Sequence, residues 1–140
     1  MTSGSEARKA LVDTSAYYAM ADRGDSFHQR SLEAAKRLAV DHWRMFSTNL
    51  ILAETHALLL NRAGRQIALR TLRNIRSGAV TIIRVSASDE EEAWDILENY
   101  QDKDFSFTDA ASFVVMRRFN ISHAFTFEHN FTQYGIATVV

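Results

Sequence analysis

The stretch KALVDTSAYYAM, residues 9–20, runs a short apolar segment straight into an aspartate. Ala10, Leu11 and Val12 read as a buried strand, Asp13 ends it, and an apolar helix-like run follows the small polar residues after it. Burying a lone carboxylate costs several kcal/mol or forces it to take up a proton. Asp13 must therefore be hydrogen-bonded, paired, metal-bound or placed at the open end of a sheet.

Outward from this segment the pattern alternates. Helices are expected over 15–22 and 26–39, and a strand over 44–47. A helix over 50–62 is capped by Thr48 or Asn49, and another covers 65–77. The β-branched run Val80–Val85 reads as a strand, and Ser88 with Glu91 reads as a capping box for a helix over 89–100. Thr108 is expected to cap a helix over 109–119, followed by a strand at 123–127, a helical turn at 129–133 and a strand at 136–140. Gly24, Gly64, Gly78 and Gly135 punctuate the segments in a chain without proline. Alternating strands and helices imply an α/β fold: a three-layer α/β/α sandwich around a mostly parallel central sheet.

The chain has 140 residues, enough for one domain, here 8–140, with residues 1–7 as a loose polar arm. A 46% apolar fraction supplies a core, and 24% charged residues argue against disorder. The net charge of −1 gives no overall pull towards nucleic acid. The absence of cysteine excludes disulfides, thiolate chemistry and cysteine-based zinc sites. No apolar run reaches bilayer length, and MTSGSEARKA lacks the apolar stretch of a signal peptide, so a cytoplasmic protein with no membrane partner is expected.

Four acids fall near the carboxyl ends of the expected strands: Asp13, Glu54 in the second turn of its helix, Asp109 in a first turn, and Glu128 just beyond HAFTF. In a parallel sheet those ends open on one edge, where sites of open α/β folds lie. Glu54 sits at the rim of the apolar face made by Ile51, Leu52, Thr55, Leu58 and Leu59. Singly, each acid has an ordinary reading as a cap, a surface charge or a first-turn acid. Together they would repel: two carboxylates 4 Å apart do so by about 4 kcal/mol at an effective dielectric of 20. A cation or shared protons would relieve that. Oxygen ligands without cysteine or paired histidine point to Mg²⁺ or Mn²⁺ and to metal-assisted phosphodiester hydrolysis.

At these residues the sequence resembles the PIN-domain family, and within it the VapC-like ribonuclease toxins. The segments that carry the resemblance are LVDTSAYYA (11–19), STNLILAETHALLL (47–60), DKDFSFTDAASFVVMRR (102–118) and AFTFEHNFTQYG (124–135), in order and spacing over about residues 9–140. The resemblance implies a metal-dependent endoribonuclease with metal-binding roles at Asp13, Glu54 and Asp109. Glu128 stands where the family more often has aspartate, so its carboxylate reaches about one bond length further. RNA is the implied substrate, and many relatives are toxins neutralised by a small antitoxin protein. A homodimer is left open.

Thr14, Thr108 and Thr126 flank the acids, and their hydroxyls are candidates to orient carboxylates or water. Asp102 and Asp104 read as a solvated loop, and His28, His42, His56, His123 and His129 show no ligand spacing. Arg65, Arg70, Arg73 and Arg76 share one side of the helix at 65–77, with Arg62 just before it, and are candidates for RNA phosphate contacts. Arg117 and Arg118 read as complements to a helix C-terminal dipole. Two alternatives keep the same fold: a housekeeping RNA-processing nuclease, and a catalytically weakened RNA-binding module, which the glutamate at 128 favours. A phospho-acceptor receiver domain would need an aspartate pair near the end of the first strand and a lysine near the end of the last, and neither is present.

Overall fold

The computed structural model describes residues 8–140. The polar arm expected at 1–7 lies outside the described residues. The order of elements is β1 (Lys9–Val12), α1 (Thr14–Ala21), α2 (His28–Val40), β2 (Arg44–Thr48), α3 (Asn49–Ala63), α4 (Arg65–Ser77), β3 (Thr81–Ile83), α5 (Ala87–Asn99), α6 (Phe107–Arg118), β4 (His123–Phe125), α7 (Asn130–Tyr134) and β5 (Ala137–Thr138). The five strands form one sheet in the order β3-β2-β1-β4-β5, and every pairing is parallel. The chain thus builds outward from β1 on one side through β2 and β3, then returns to the other side with β4 and β5. Right-handed crossovers place the two sets of connections on opposite faces. Helices α1 to α4 pack with one another, and α5 to α7 form a separate packed group.

β1 is the centre of this arrangement. Ala10, Leu11 and Val12 are buried between β2 and β4, which is why the strand is apolar on both faces. Phe105, Phe113, Phe131 and Tyr134 interlock as an aromatic cluster under α6 and α7. Gly64 takes φ 93°, a left-handed conformation that lets one residue reverse the chain between α3 and α4.

Several local assignments shift. The capping box of α5 is formed by Ser86 and Asp89, not by Ser88 and Glu91. Helix α6 is capped by Ser106 with Asp109, so Thr108 lies inside the first turn and does not cap it. At α5 two S/T-x-x-D/E frames overlap, and the one that buries its acid is used; at α6 only Ser106 has an acid three residues on, so it rather than Thr108 completes the box. The strand expected at Val80–Val85 shrinks to Thr81–Ile83 because Val85 instead gives its amide to the Asn49 side chain (2.8 Å). Thr48, rather than Asn49, caps α3. Arg117 and Arg118 do more than face a helix dipole: Arg117 pairs with Glu92, and Arg118 holds Asp89, both across on α5.

Ser106→Ala should remove the acceptor that receives the Asp109 amide at 3.0 Å. The expected loss is about 1 kcal/mol, the usual worth of such a cap. Urea denaturation of the two proteins would measure it.

Candidate active site

The direction of the chain changes between β1 and β4, and at such a switch point an open parallel sheet leaves a crevice beyond its carboxyl ends. Asp13 follows β1 there, and Thr126 follows β4. The register that pairs Val12 with Phe125 continues one step, as the Asp13 amide donates to the Phe125 carbonyl at 3.0 Å. Asp13 stands in the N-cap position of α1, yet its carboxylate makes no capping bond. Instead Oδ2 accepts the hydroxyls of Thr126 (2.9 Å) and Ser15 (3.2 Å). Ser15 also receives the Phe127 amide at 2.9 Å, and Thr126 receives the Glu128 amide at 3.1 Å. Oδ1 is left without a side-chain donor among the described residues.

Asp109 is held in the same manner. Its Oδ2 accepts the Ser106 amide at 3.0 Å and the Asn130 side-chain amide at 2.6 Å, leaving Oδ1 without a side-chain donor among the described residues. The capping box thus fixes the very carboxylate that faces Asp13. Glu54 comes to this edge from α3: the Thr14 hydroxyl donates to its Oε1 at 2.9 Å and in turn accepts from Thr55 at 3.3 Å. Thr14 and Thr55 are buried while Glu54 itself is exposed. Glu128 is also exposed, and its backbone rather than its side chain is tied to the cluster.

Of the flanking threonines, Thr126 touches Asp13 and Thr14 touches Glu54. The Thr108 contact in the cluster is its carbonyl, which accepts the Ser112 hydroxyl at 2.8 Å. Ser15, Ser106 and Asn130 were not among the residues singled out from sequence. The serine three residues before Asp109 was a legible signal. Asn130 was not, because only the packing of α7 brings it to Asp109.

Asp13 is 4% exposed and Asp109 9%. Burial pushes the Asp13 carboxyl up from 3.8 to about 6, and the charge of Asp109 adds to the rise; the Thr126 and Ser15 hydroxyls and the Thr14 amide pull the other way. A second buried aspartate shows the contrast. Asp89 is 1% exposed, and burial alone would raise it, but Arg118 grips both its oxygens at 2.9 and 2.6 Å and Ser86 adds further bonds. The net result holds Asp89 below the ordinary carboxylate value. No such cation meets Asp13, Glu54, Asp109 or Glu128 among the described residues.

The donor set fits a hard divalent ion. It is all oxygen, two of its carboxylates are fixed by side chains through one oxygen with no side-chain donor on the other among the described residues, and their charge is uncompensated. Among the described residues no three Asp, Glu or His side chains are gathered closely enough to enclose an ion. Mg²⁺ is commonly held by one or two carboxylates with waters and substrate phosphates completing its shell, which the Asp13 and Asp109 pair suits.

Arg65, Arg70, Arg73 and Arg76 are exposed along α4, and none forms an ion pair among the described residues. Asp102 pairs with its neighbour Lys103 in solvent, as a loop residue would.

The profile described as PIN domain matches residues 10–137. The chain belongs to the PIN-domain family. It is 36% identical over 130 residues to the 23S rRNA-specific endonuclease VapC20 of Mycobacterium tuberculosis, covering 92% of this chain and 96% of that protein. The ribonuclease VapC26 of the same species is 29% identical over 113 residues, 78% of each chain. The crystal structure of VapC20, a sarcin–ricin-loop-cleaving toxin, superposes with a TM-score of 0.82 at 32% identity, covering 91% of this chain and 96% of that one. A second likeness, at the level of fold alone, is to the crystal structure of PAE2754 from Pyrobaculum aerophilum, with a TM-score of 0.62 at 19% identity over 95% of this chain and 90% of that one. Among the described residues no helix is long and apolar enough to cross a membrane.

Proposed function

We propose that this chain is a Mg²⁺- or Mn²⁺-dependent endoribonuclease, the toxin of a toxin–antitoxin pair, acting in the cytoplasm on large-subunit ribosomal RNA. The observation that carries the reading is the pair of buried, uncompensated aspartates at the switch point, each anchored through Oδ2. The likeness to VapC20 over nearly the whole chain supports the substrate class.

In this reading Asp13 and Asp109 are the residues that would hold the ion. Thr126 and Ser15 keep Asp13 from turning away, and Ser106 and Asn130 do the same for Asp109. The bound ion would supply a water of lowered pKa and neutralise charge developing on the phosphoryl oxygens. Glu54, fixed by Thr14 but open to solvent, would be the carboxylate free to orient a water there and take up its proton. The exposed arginines of α4 hold flanking RNA phosphates.

Purified protein with ribosomes should give a discrete cleavage product of the large rRNA, dependent on Mg²⁺ or Mn²⁺ and lost with chelator. Absence of cleavage of any RNA at millimolar ion would overturn the reading. Growth arrest on expression, relieved by a co-expressed antitoxin, separates a toxin from a housekeeping nuclease. Millimolar Mg²⁺ or Mn²⁺ should also raise Tm, since an ion that binds only the folded state stabilises it by mass action. Glu128→Asp should preserve or increase cleavage, because among the described residues the exposed side chain makes no bond that shortening would break. A large loss with folding and ion binding intact would show that the longer side chain is required.

A further inference from the structure

We propose that Phe127, Phe27 and Arg30 form a stacking ledge at the lip of the Asp13 site, which takes a nucleobase of single-stranded RNA and the phosphate beside it. The proposal rests on the ribonuclease reading and names where its substrate is gripped. Phe127 lies between Thr126, which binds Asp13, and Glu128. Its amide is fixed to Ser15, itself a partner of Asp13, so the ring is anchored at the edge of the carboxylate cluster.

The Phe27 ring lies nearly flat on Phe127, with centroids 4.6 Å apart and planes 15° from parallel. Phe27 is nonetheless 36% exposed, so the outer aromatic surface stays in water. Its position is fixed from both sides. The Phe27 amide donates to Asp25 Oδ2 at 2.9 Å, and His28 Nδ1 contacts the Ala19 carbonyl at 2.7 Å, which ties the start of α2 to the end of α1. Arg30, in the first turn of α2, sets its guanidinium 5.5 Å from the Phe27 ring and 5.7 Å from the Phe127 ring. It is exposed and forms no ion pair among the described residues.

Rigid exposed rings beside a planar cation are what single-stranded nucleic acid recognition uses: every base has a face to stack, and the arginine takes a phosphate. The need is acute here. The site buries two uncompensated aspartates and the chain carries a net charge of −1, so electrostatics at the centre oppose a polyanion. An aromatic ledge attracts the substrate without relying on overall charge. If the stack served only to dock α2 against the loop after β4, truncating Phe27 would lower stability and leave RNA contacts untouched.

The test uses a single-stranded oligoribonucleotide carrying 2-aminopurine at successive positions, bound to the full chain in an Asp13→Asn background that prevents cleavage. Fluorescence should be quenched at one or two neighbouring positions. Phe27→Ala should abolish that quench and raise Kd roughly tenfold, as loss of one stacked base does, and Phe27→Trp should restore both. Arg30→Ala should flatten the salt dependence of binding by about one phosphate contact. With Asp13 intact, Phe27→Ala should raise KM for RNA cleavage with kcat nearly unchanged. No quench at any position, or a quench and Kd indifferent to Phe27→Ala, overturns the ledge. Cleavage assayed in parallel separates the two readings: cleavage with a Phe27-independent KM leaves the nuclease without the ledge, and Phe27-dependent quenching without cleavage leaves the ledge without the nuclease.

Discussion

Asp13→Asn is expected to abolish RNA cleavage and, in the same protein, to stabilise the metal-free fold by roughly 3 kcal/mol at pH 7. The second effect follows from the rise of the Asp13 carboxyl from 3.8 to about 6, since each tenfold change in proton affinity is worth about 1.4 kcal/mol. Between those pH values the folded protein keeps a proton that the unfolded chain has lost. Stability therefore falls as pH rises from about 3.8 to about 6, and the full penalty stands above that range. Asparagine carries no charge to desolvate, and its side-chain oxygen still accepts the Thr126 and Ser15 hydroxyls. The mutant should lose the downward slope and melt roughly 10 °C higher at pH 7 without metal. Saturating Mg²⁺ or Mn²⁺ should narrow the gap, because it stabilises the wild type by binding the folded state and has less hold on the mutant. Urea titrations of both proteins from pH 4 to 7, with and without ion, measure all of this. A wild type whose stability is flat across that range, or a mutant no more stable at pH 7, would refute the account of Asp13 as a buried and uncompensated charge.

The same pair of residues shows what a sequence can and cannot disclose. The apolar β1 followed by an acid was legible because burial and charge conflict within four residues, and the resolution of that conflict at a sheet edge follows from topology. The strands and helices alternate with enough periodicity to give the three-layer architecture. What blurred was phase. Around Asp89 the sequence offers two serine-led capping frames, Ser86 with Asp89 and Ser88 with Glu91, and local propensity does not choose between them. Tertiary burial does, since the frame used is the one whose acid faces the interior. Asn130 was invisible for a related reason: the contact to Asp109 spans 21 residues and depends on how the five-residue α7 docks. Glu54 was placed by helical angle at the rim of an apolar face. The structure shows it exposed and tethered by Thr14, a contact across 40 residues that no periodicity encodes. The arginine pair does close the last turn of α6, as its position implied, but the dipole is the smaller part of its role. Dipole complementarity is a weak surface effect, whereas Arg118 answers a buried charge.

That buried charge gives the largest purely structural effect expected in the molecule. Arg118→Ala should destabilise the fold by about 1–3 kcal/mol, the cost of leaving a buried charged acceptor without its donor, since Asp89 is buried while Arg118 itself is 42% exposed and reaches it from the solvent side. Asp89 is 1% exposed, and its carboxylate is gripped at both oxygens by Arg118 from α6 while its own helix is α5. The pair therefore fastens two neighbouring helices on the face opposite α1 to α4. Without the guanidinium, the Ser86 amide and hydroxyl remain, but they do not neutralise the charge. Asp89 should then shift from below the ordinary carboxylate value to above it, and the sign of its pH dependence should reverse. In the wild type its contribution is present above the unfolded value and is lost as pH falls; in the mutant, stability should be regained as acid protonates the orphaned group. Arg118→Lys should recover only part of the loss, because an ammonium does not reproduce the two-pronged grip. Adding Asp89→Asn to Arg118→Ala should restore much of it, since the penalty is the unpaired charge and not the missing arginine itself. Denaturant unfolding of the four proteins forms a double-mutant cycle. A cost below 1 kcal/mol for Arg118→Ala, or no recovery in the double mutant, would show that the bridge contributes little and that α5 and α6 are held by their apolar contacts alone.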